Sequence, residues 1–197
     1  SKIVLARSYE EALELYEKYS NNILGVITDA RYPKEGIVDP MAGIKLLEEI
    51  RKRDPFVPLI LQSSEVSNAQ YAKRYDASFV DKNSKKMNID LREIISENFG
   101  FGDFIFRNPD TMEEVARVRN LKELQNIIFA IPKESLLYHV QRNHVSRWLY
   151  SRAMFPAAEF LKQISWDSLK DVDEHRRVIF EAIVKYRKMK NQGVVAV

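Results

Sequence analysis

Three kinds of polar side chain stand directly after short apolar runs in the first hundred residues. Asp29 follows Ile23-Leu24-Gly25-Val26-Ile27-Thr28, Ser63-Ser64 follows Leu59-Ile60-Leu61-Gln62, and Lys82 follows Ser78-Phe79-Val80-Asp81. A carboxylate at such a place projects from a sheet edge into solvent, where it can attack a phosphoryl group. A hydroxyl there can hydrogen-bond a phosphoryl oxygen. An ammonium can pair with the carboxylate before transfer and with the phosphoryl afterwards. Each alone is weak evidence, because polar residues commonly end strands; together they form a consistent set.

The other reactive residue types read as structure. His139 and His144 are five residues apart, so on a continuous helix they would sit about 140° apart, whereas metal-binding helical pairs use spacings of three or four. With no cysteine and His175 the one other histidine, zinc is not expected; the pair reads as orienting hydrogen bonds inside a helical region. Trp148, Trp166, Phe155 and Phe160 read as core. Arg142, Arg147 and Arg152 spread around a helix as ion-pair partners or an interaction surface, and Glu10, Glu11 and Glu14 fit a solvated face. Gly100 and Gly102 form a turn and not a phosphate cradle. The sequence holds no Walker loop, nucleophile elbow or dinucleotide fingerprint.

The elements that must carry the strand-end residues alternate. Ile3-Val4-Leu5-Ala6 reads as a buried strand, and Ser8 with Glu11 as a capping box for a helix whose apolar positions are Ala12, Leu15, Tyr16 and Tyr19. Ile23 to Thr28 is a second strand. Asp39-Pro40 is the expected N-cap and first turn of a helix burying Leu46, Leu47 and Ile50. Val57 to Leu61 is a third strand, Ser67-Asn68-Ala69-Gln70 caps a weaker helix, and Ser78 to Asp81 is a fourth strand, followed by a helix marked by Leu91, Ile94 and Ile95. Such alternation predicts an α/β domain with a parallel, doubly wound sheet, whose working groups lie outside the carboxyl ends of the strands. Those ends are Arg7-Ser8, Asp29, Ser63-Ser64 and Lys82.

After Phe99-Gly100-Phe101-Gly102 the pattern changes. Phe104 to Arg107, the turn Asn108-Pro109-Asp110-Thr111 and Val115 to Val118 read as a β-hairpin. Asn120 with Glu123 opens a run of helices, with Pro132 and Pro156 near helix starts and a last helix over about Val172 to Lys190. The expected organisation is an α/β domain over residues 1–102 and a smaller, mostly helical module with a hairpin over 103–197.

Composition sets the wider bounds. The 197 residues are 45% apolar and 30% charged, with a net charge of +3. That charge is too mild to argue for nucleic acid, and Lys185 to Lys190 suit the end of a helix whose dipole favours cations. No apolar run approaches a membrane span and the first residues are not a signal peptide. The absence of cysteine agrees with a reducing cytoplasm. A cytoplasmic protein that contacts neither membrane nor nucleic acid is expected.

The first hundred residues resemble the receiver domain of response regulators. Pro33 follows Asp29 by four residues, as in that family's phosphoacceptor loop. After an insertion from Lys34 to Pro40, Met41-Ala42-Gly43-Ile44-Lys45-Leu46-Leu47 is similar to its third helix, Pro58 to Ser64 to its fourth strand, and Phe79-Val80-Asp81-Lys82 to its fifth. The resemblance implies a flavodoxin-like sheet with flanking helices. It also implies Asp29 as phosphoacceptor, Ser63 and Lys82 as phosphoryl-binding residues, Phe79 as the switch aromatic, and a histidine kinase or small molecule as phosphodonor. Asn83 stands where receivers usually have proline. The family's first strand, with the acidic pair that holds magnesium, has no counterpart, so Asp29 would supply only part of a Mg²⁺ site. An upstream segment is expected in the natural protein, or another strand in that slot, with Val194-Val195-Ala196-Val197 a candidate.

Phe99 to Phe104, Glu134 to His139, and Arg142-Asn143-His144-Val145-Ser146-Arg147-Trp148-Leu149 resemble a region of large bacterial proteins. Those proteins join a receiver-like segment to a phosphoenolpyruvate synthase or pyruvate, phosphate dikinase type enzyme. This implies a regulatory segment that is not itself an enzyme and acts on an adjoining catalytic region or partner protein. The alternative is an unphosphorylated pseudo-receiver that serves as a docking scaffold.

Overall fold

A computed structural model of the chain describes residues 3–193. It is mixed α/β and divides into two compact units between Asn98 and Phe99, earlier than the change in pattern after Gly102. Phe99–Gly102 belong to the second unit because they pack there: Phe99 is buried. The Gly100 carbonyl accepts from Ser151 and Arg152, and the Gly102 carbonyl from Trp148 and Arg152.

The first unit runs α1 (Tyr9–Tyr19), β1 (Val26–Asp29), β2 (Tyr32–Lys34), β3 (Ile37–Asp39), α2 (Ala42–Arg53), β4 (Leu59–Ser63), α3 (Ala69–Arg74), β5 (Ser78–Asp81) and α4 (Met87–Asn98). Its main sheet has three parallel strands in the order β1-β4-β5. Leu59 and Leu61 of the sheet, Ile44, Leu47 and Ile50 of α2, and Tyr16 of α1 form one buried cluster. Each such side chain contributes about 2 kcal/mol on burial, so this packing, and not the exposed ion pairs, sets where the strand ends lie. Arg51 pins the loops behind the sheet by donating to the carbonyls of Tyr75, Asp54, Val57 and Asp76.

Several local expectations are corrected. Ile3–Ala6 is not a buried strand: it pairs with nothing described, and Ile3 and Leu5 are 85% and 79% exposed. A strand needs a neighbour for its backbone groups, and β1, an edge of its sheet, bonds only to β4 among the described strands. Asp39-Pro40 does not start α2. Asp39 ends β3, Met41 is the N-cap, and the Asp39 carboxylate accepts from Met41 N–H and Lys45 Nζ. Ser67 and Asn68 do not cap α3 with their side chains; the Asn68 amide is used elsewhere. The insertion from Lys34 to Pro40 belongs to a hairpin, β2 with β3, whose turn residues Glu35 and Gly36 have φ of 53° and 77°. Two positive φ values suit a two-residue turn between twisted strands. Val194–Val197 lies outside the described residues.

The second unit opens with an antiparallel hairpin, β6 (Phe104–Arg107) and β7 (Glu114–Val118). Helices α5 (Leu121–Ile127), α6 (Lys133–Gln141), α7 (His144–Ser151), α8 (Phe155–Lys162) and α9 (Val172–Asn191) come after it. The Asn120 cap is formed, with Glu123 N–H donating to Asn120 Oδ1 at 2.9 Å. Phe106, Leu124, Leu136, Trp148, Leu149 and Ile179 centre the core. Trp148 and Trp166 are buried as expected. Phe155 and Phe160 are not; they are exposed on α8. Among the described residues no helix is long and apolar enough to cross a membrane.

Candidate functional site

The carboxyl edge of the three-stranded sheet collects the residues singled out from the sequence. The register places Asp29 beside Gln62 and Gln62 beside Val80. Ladder bonds run one residue past the strands, from Ala30 N–H to the Gln62 carbonyl and from Lys82 N–H to the Ser63 carbonyl, both 2.9 Å. Side chains alternate along each strand. Lys82, two residues beyond Val80, therefore falls on the side of Asp29. The side chains meet: Lys82 Nζ lies 3.1 Å from Asp29 Oδ2, with the side chains 41% and 45% exposed.

Beneath this pair the backbone is crowded. The amide of Gly43 donates to the Ala30 carbonyl at 3.0 Å, and a Cβ at Gly43 would stand 1.9 Å from the Asp29 carbonyl oxygen. Only glycine lets α2 start this close to the end of β1. Beside it, Thr28 is buried and its hydroxyl bonds the Asp29 carbonyl and the Tyr32 hydroxyl. Burial pushes the Tyr32 phenol up to about 12, so it stays protonated at neutral pH.

Ser63 is placed differently. It alternates with Gln62 and shares the side of Leu59 and Leu61; it is 5% exposed. Its hydroxyl accepts from Glu65 N–H and from Asn68 Nδ2, both at 3.0 Å. The structure thus brings Asp29 and Lys82 into contact and sets Ser63 next to them through its backbone, with its hydroxyl turned to the following loop. Phe79, in register with Leu61, is half-buried against the core of the unit. Asn83, directly after Lys82, donates its Nδ2 to the Ser64 carbonyl at 3.0 Å and its backbone amide to Asp81 Oδ1. Arg31 stands 4.0 Å from Glu65 across the same edge.

Magnesium takes several oxygen ligands in a near-octahedral shell. Among the described residues no group of three or more His, Cys, Asp or Glu is disposed to hold a metal ion, and Asp29 is already joined to an ammonium. These residues do not fit a magnesium site by themselves.

Sequence reasoning passed over Tyr32, and it read Gly43 and Asn68 only as parts of helix starts, without the contacts they make at this edge. The bond between Asn68 and Ser63 depends on a loop conformation that no periodicity encodes.

In the second unit His139 and His144 do not share a helix. Asn143, at φ 57°, separates α6 from α7, and the rings meet with Nδ1 atoms 2.9 Å apart. Arg107 N–H donates to His139 Nε2, so the proton of the neutral ring sits on Nδ1 and is donated to His144. Burial first, then Arg107 and Arg142, pull His139 down to about 4; burial, His139, Arg147 and Arg142 hold His144 well below its usual value. The expected orienting hydrogen bonds are present, by a different geometry. Arg152 stacks over Trp148 and holds the Gly100 and Gly102 carbonyls, and Arg142 lies over the Tyr138 ring.

No protein-family model, curated protein or solved structure matches the chain.

Proposed function

We propose that the first unit is a flavodoxin-like, receiver-type regulatory segment in which Asp29 accepts a phosphoryl group, and that it acts on an adjoining catalytic region of the phosphoenolpyruvate synthase or pyruvate, phosphate dikinase type. The observation that carries this is the Asp29–Lys82 contact. Two residues from strands that are not neighbours are brought to 3.1 Å across β4. A carboxylate oxygen of Asp29 attacks phosphorus in a phosphohistidine of a kinase or in a small acyl phosphate. The bond from phosphorus to the donor breaks, the donor leaves with the electron pair, and Asp29 becomes an acyl phosphate. Lys82 loses a carboxylate partner and gains a phosphoryl one. The added charge, by analogy with phosphoserine about −1.5 to −2, is enough to reorganise nearby hydrogen bonds. Ser63 reaches the group only by giving up Asn68 and Glu65 N–H, and that exchange is a route by which the signal passes to Phe79 and the face beyond.

Incubating the chain with acetyl phosphate, with and without magnesium chloride, tests this. Intact mass should rise by one phosphoryl group in the wild type and not in Asp29→Asn. A second reading is favoured by the same contact: Lys82 already neutralises Asp29, as suits a docking scaffold that is never modified. An unchanged mass in the wild type, under conditions that modify a known receiver, selects the scaffold.

A further inference from the structure

Among the described residues of the first unit, two features lack a neighbour that the other can supply. β1 is an edge strand, hydrogen-bonded only to β4 among the described strands. The amides of Val26 and Ala30 donate to the Pro58 and Gln62 carbonyls, both at 2.9 Å. Backbone groups alternate sides along a strand, so the N–H and C=O of Ile27 point away from β4, and the Ile27 side chain is exposed as well. An open edge with an apolar residue on it is a template for another strand. The second feature is Ile3-Val4-Leu5-Ala6, exposed throughout and paired with nothing described. The start of α1 holds it off. Arg7 N–H donates to Glu11 Oε2 at 2.6 Å and Glu11 N–H to Ser8 Oγ at 3.2 Å. This reciprocal cap fixes the direction in which the segment leaves the helix, and on that course it does not pair with β1 of its own chain.

We infer that the open edge of β1 is an interface between two copies of this chain, in which Ile3–Ala6 of each copy adds as a strand to β1 of the other, with Leu5 beside Ile27. A second copy is the occupant because the chain carries both halves of the contact: an edge without a strand, and a strand-forming segment without an edge. The exchange is reciprocal, so it closes after two copies. It gives the outward N–H and C=O of Ile27 their partners and covers Ile3, Leu5 and Ile27 in both copies.

Sedimentation equilibrium on the full chain, at rising concentration, tests this. The mass should climb toward twice that of one chain. Leu5→Lys and Ile27→Lys should each raise the dimer dissociation constant by about tenfold or more, since each puts two charges into the interface. Leu5 is exposed, so Leu5→Lys should melt with the wild type at low concentration; if Ile27→Lys fails to fold, Leu5→Lys decides alone. The chain has no cysteine, so introduced thiols report without background. An oxidised mixture of Leu5→Cys and Ile27→Cys chains should give a disulfide-linked pair, because residues opposite each other on paired strands lie within disulfide reach. Val4→Cys, on the other face of the segment, should link poorly to Ile27→Cys. A wild type that stays a single chain at every concentration overturns the interface. So does a dimer that Leu5→Lys leaves unchanged, which would mean that another surface joins the copies. A disulfide formed within one chain carrying both Leu5→Cys and Ile27→Cys would overturn it too, by showing that the segment covers its own edge.

Discussion

Replacing Gly43 with alanine sets two opposite effects against each other. In a helix the change ordinarily stabilises by about 0.5–1 kcal/mol, because glycine loses more backbone freedom on folding. Here the new Cβ would stand 1.9 Å from the Asp29 carbonyl oxygen, 2.8 Å from its carbon and 3.0 Å from Ala30 Cα. All three are backbone atoms, so no side chain can swing away. Ordinary contact requires α2 and the end of β1 to part by about 1.5 Å, and forced overpacking of this kind costs about 1–3 kcal/mol. The same movement stretches the 3.0 Å bond from Gly43 N–H to the Ala30 carbonyl. The net expectation is a loss of about 2 kcal/mol, or about 10 °C in the melting midpoint of a unit this size. Both tryptophans lie in the second unit, so far-UV circular dichroism, compared with tryptophan fluorescence, reports on the first. A Gly43→Ala chain that melts at or above the wild-type temperature would refute the close approach of α2 to the Asp29 backbone.

Three further outcomes rest on particular residues. His139 has a folded value pulled below its unfolded one, so its contribution is complete above about pH 6.5 and is lost as pH falls toward about 4. That amounts to about 3 kcal/mol. Urea midpoints read by tryptophan fluorescence should fall between pH 7 and pH 4.5, and less in His139→Phe; equal slopes would contradict the buried neutral pair. Arg51→Met should destabilise the first unit by about 2–3 kcal/mol, because four carbonyls lose a charged donor, and Arg51→Lys should recover only part; thermal melts check both. Asp29→Asn should change stability by less than about 1 kcal/mol, since the pair with Lys82 is half-exposed; a larger shift in the urea midpoint would make Asp29 a structural residue.

What the sequence revealed, and what it hid, has physical causes. β5 over Ser78–Asp81 and the hairpin of β6 with β7 were legible because alternation and turn residues are local. So were the caps at Ser8 and Asn120, where a side chain bonds a backbone amide three residues on. Ile3–Ala6 misled because an apolar run reports the wish to be buried and not the presence of a partner strand. The β2–β3 hairpin was hidden because Glu35 carries a positive φ that is uncommon for its type. The histidines misled through an assumed continuous helix, which Asn143 interrupts. At the candidate site, the pairing of Asp29 with Lys82 was readable from their places at strand ends, whereas the orientation of Ser63 was not. Its hydroxyl is decided by Asn68 and by the pleat, and both are set only when the loop after β4 closes.

The most direct measurement is to treat the chain with acetyl phosphate and magnesium chloride, reduce it with borohydride, and map the modified residue by peptide mass spectrometry. Borohydride converts an aspartyl phosphate to homoserine. Homoserine at position 29, absent after Asp29→Asn and reduced after Lys82→Met, is the predicted result. Modification at another carboxylate, or at none while a control receiver is labelled, would contradict the account.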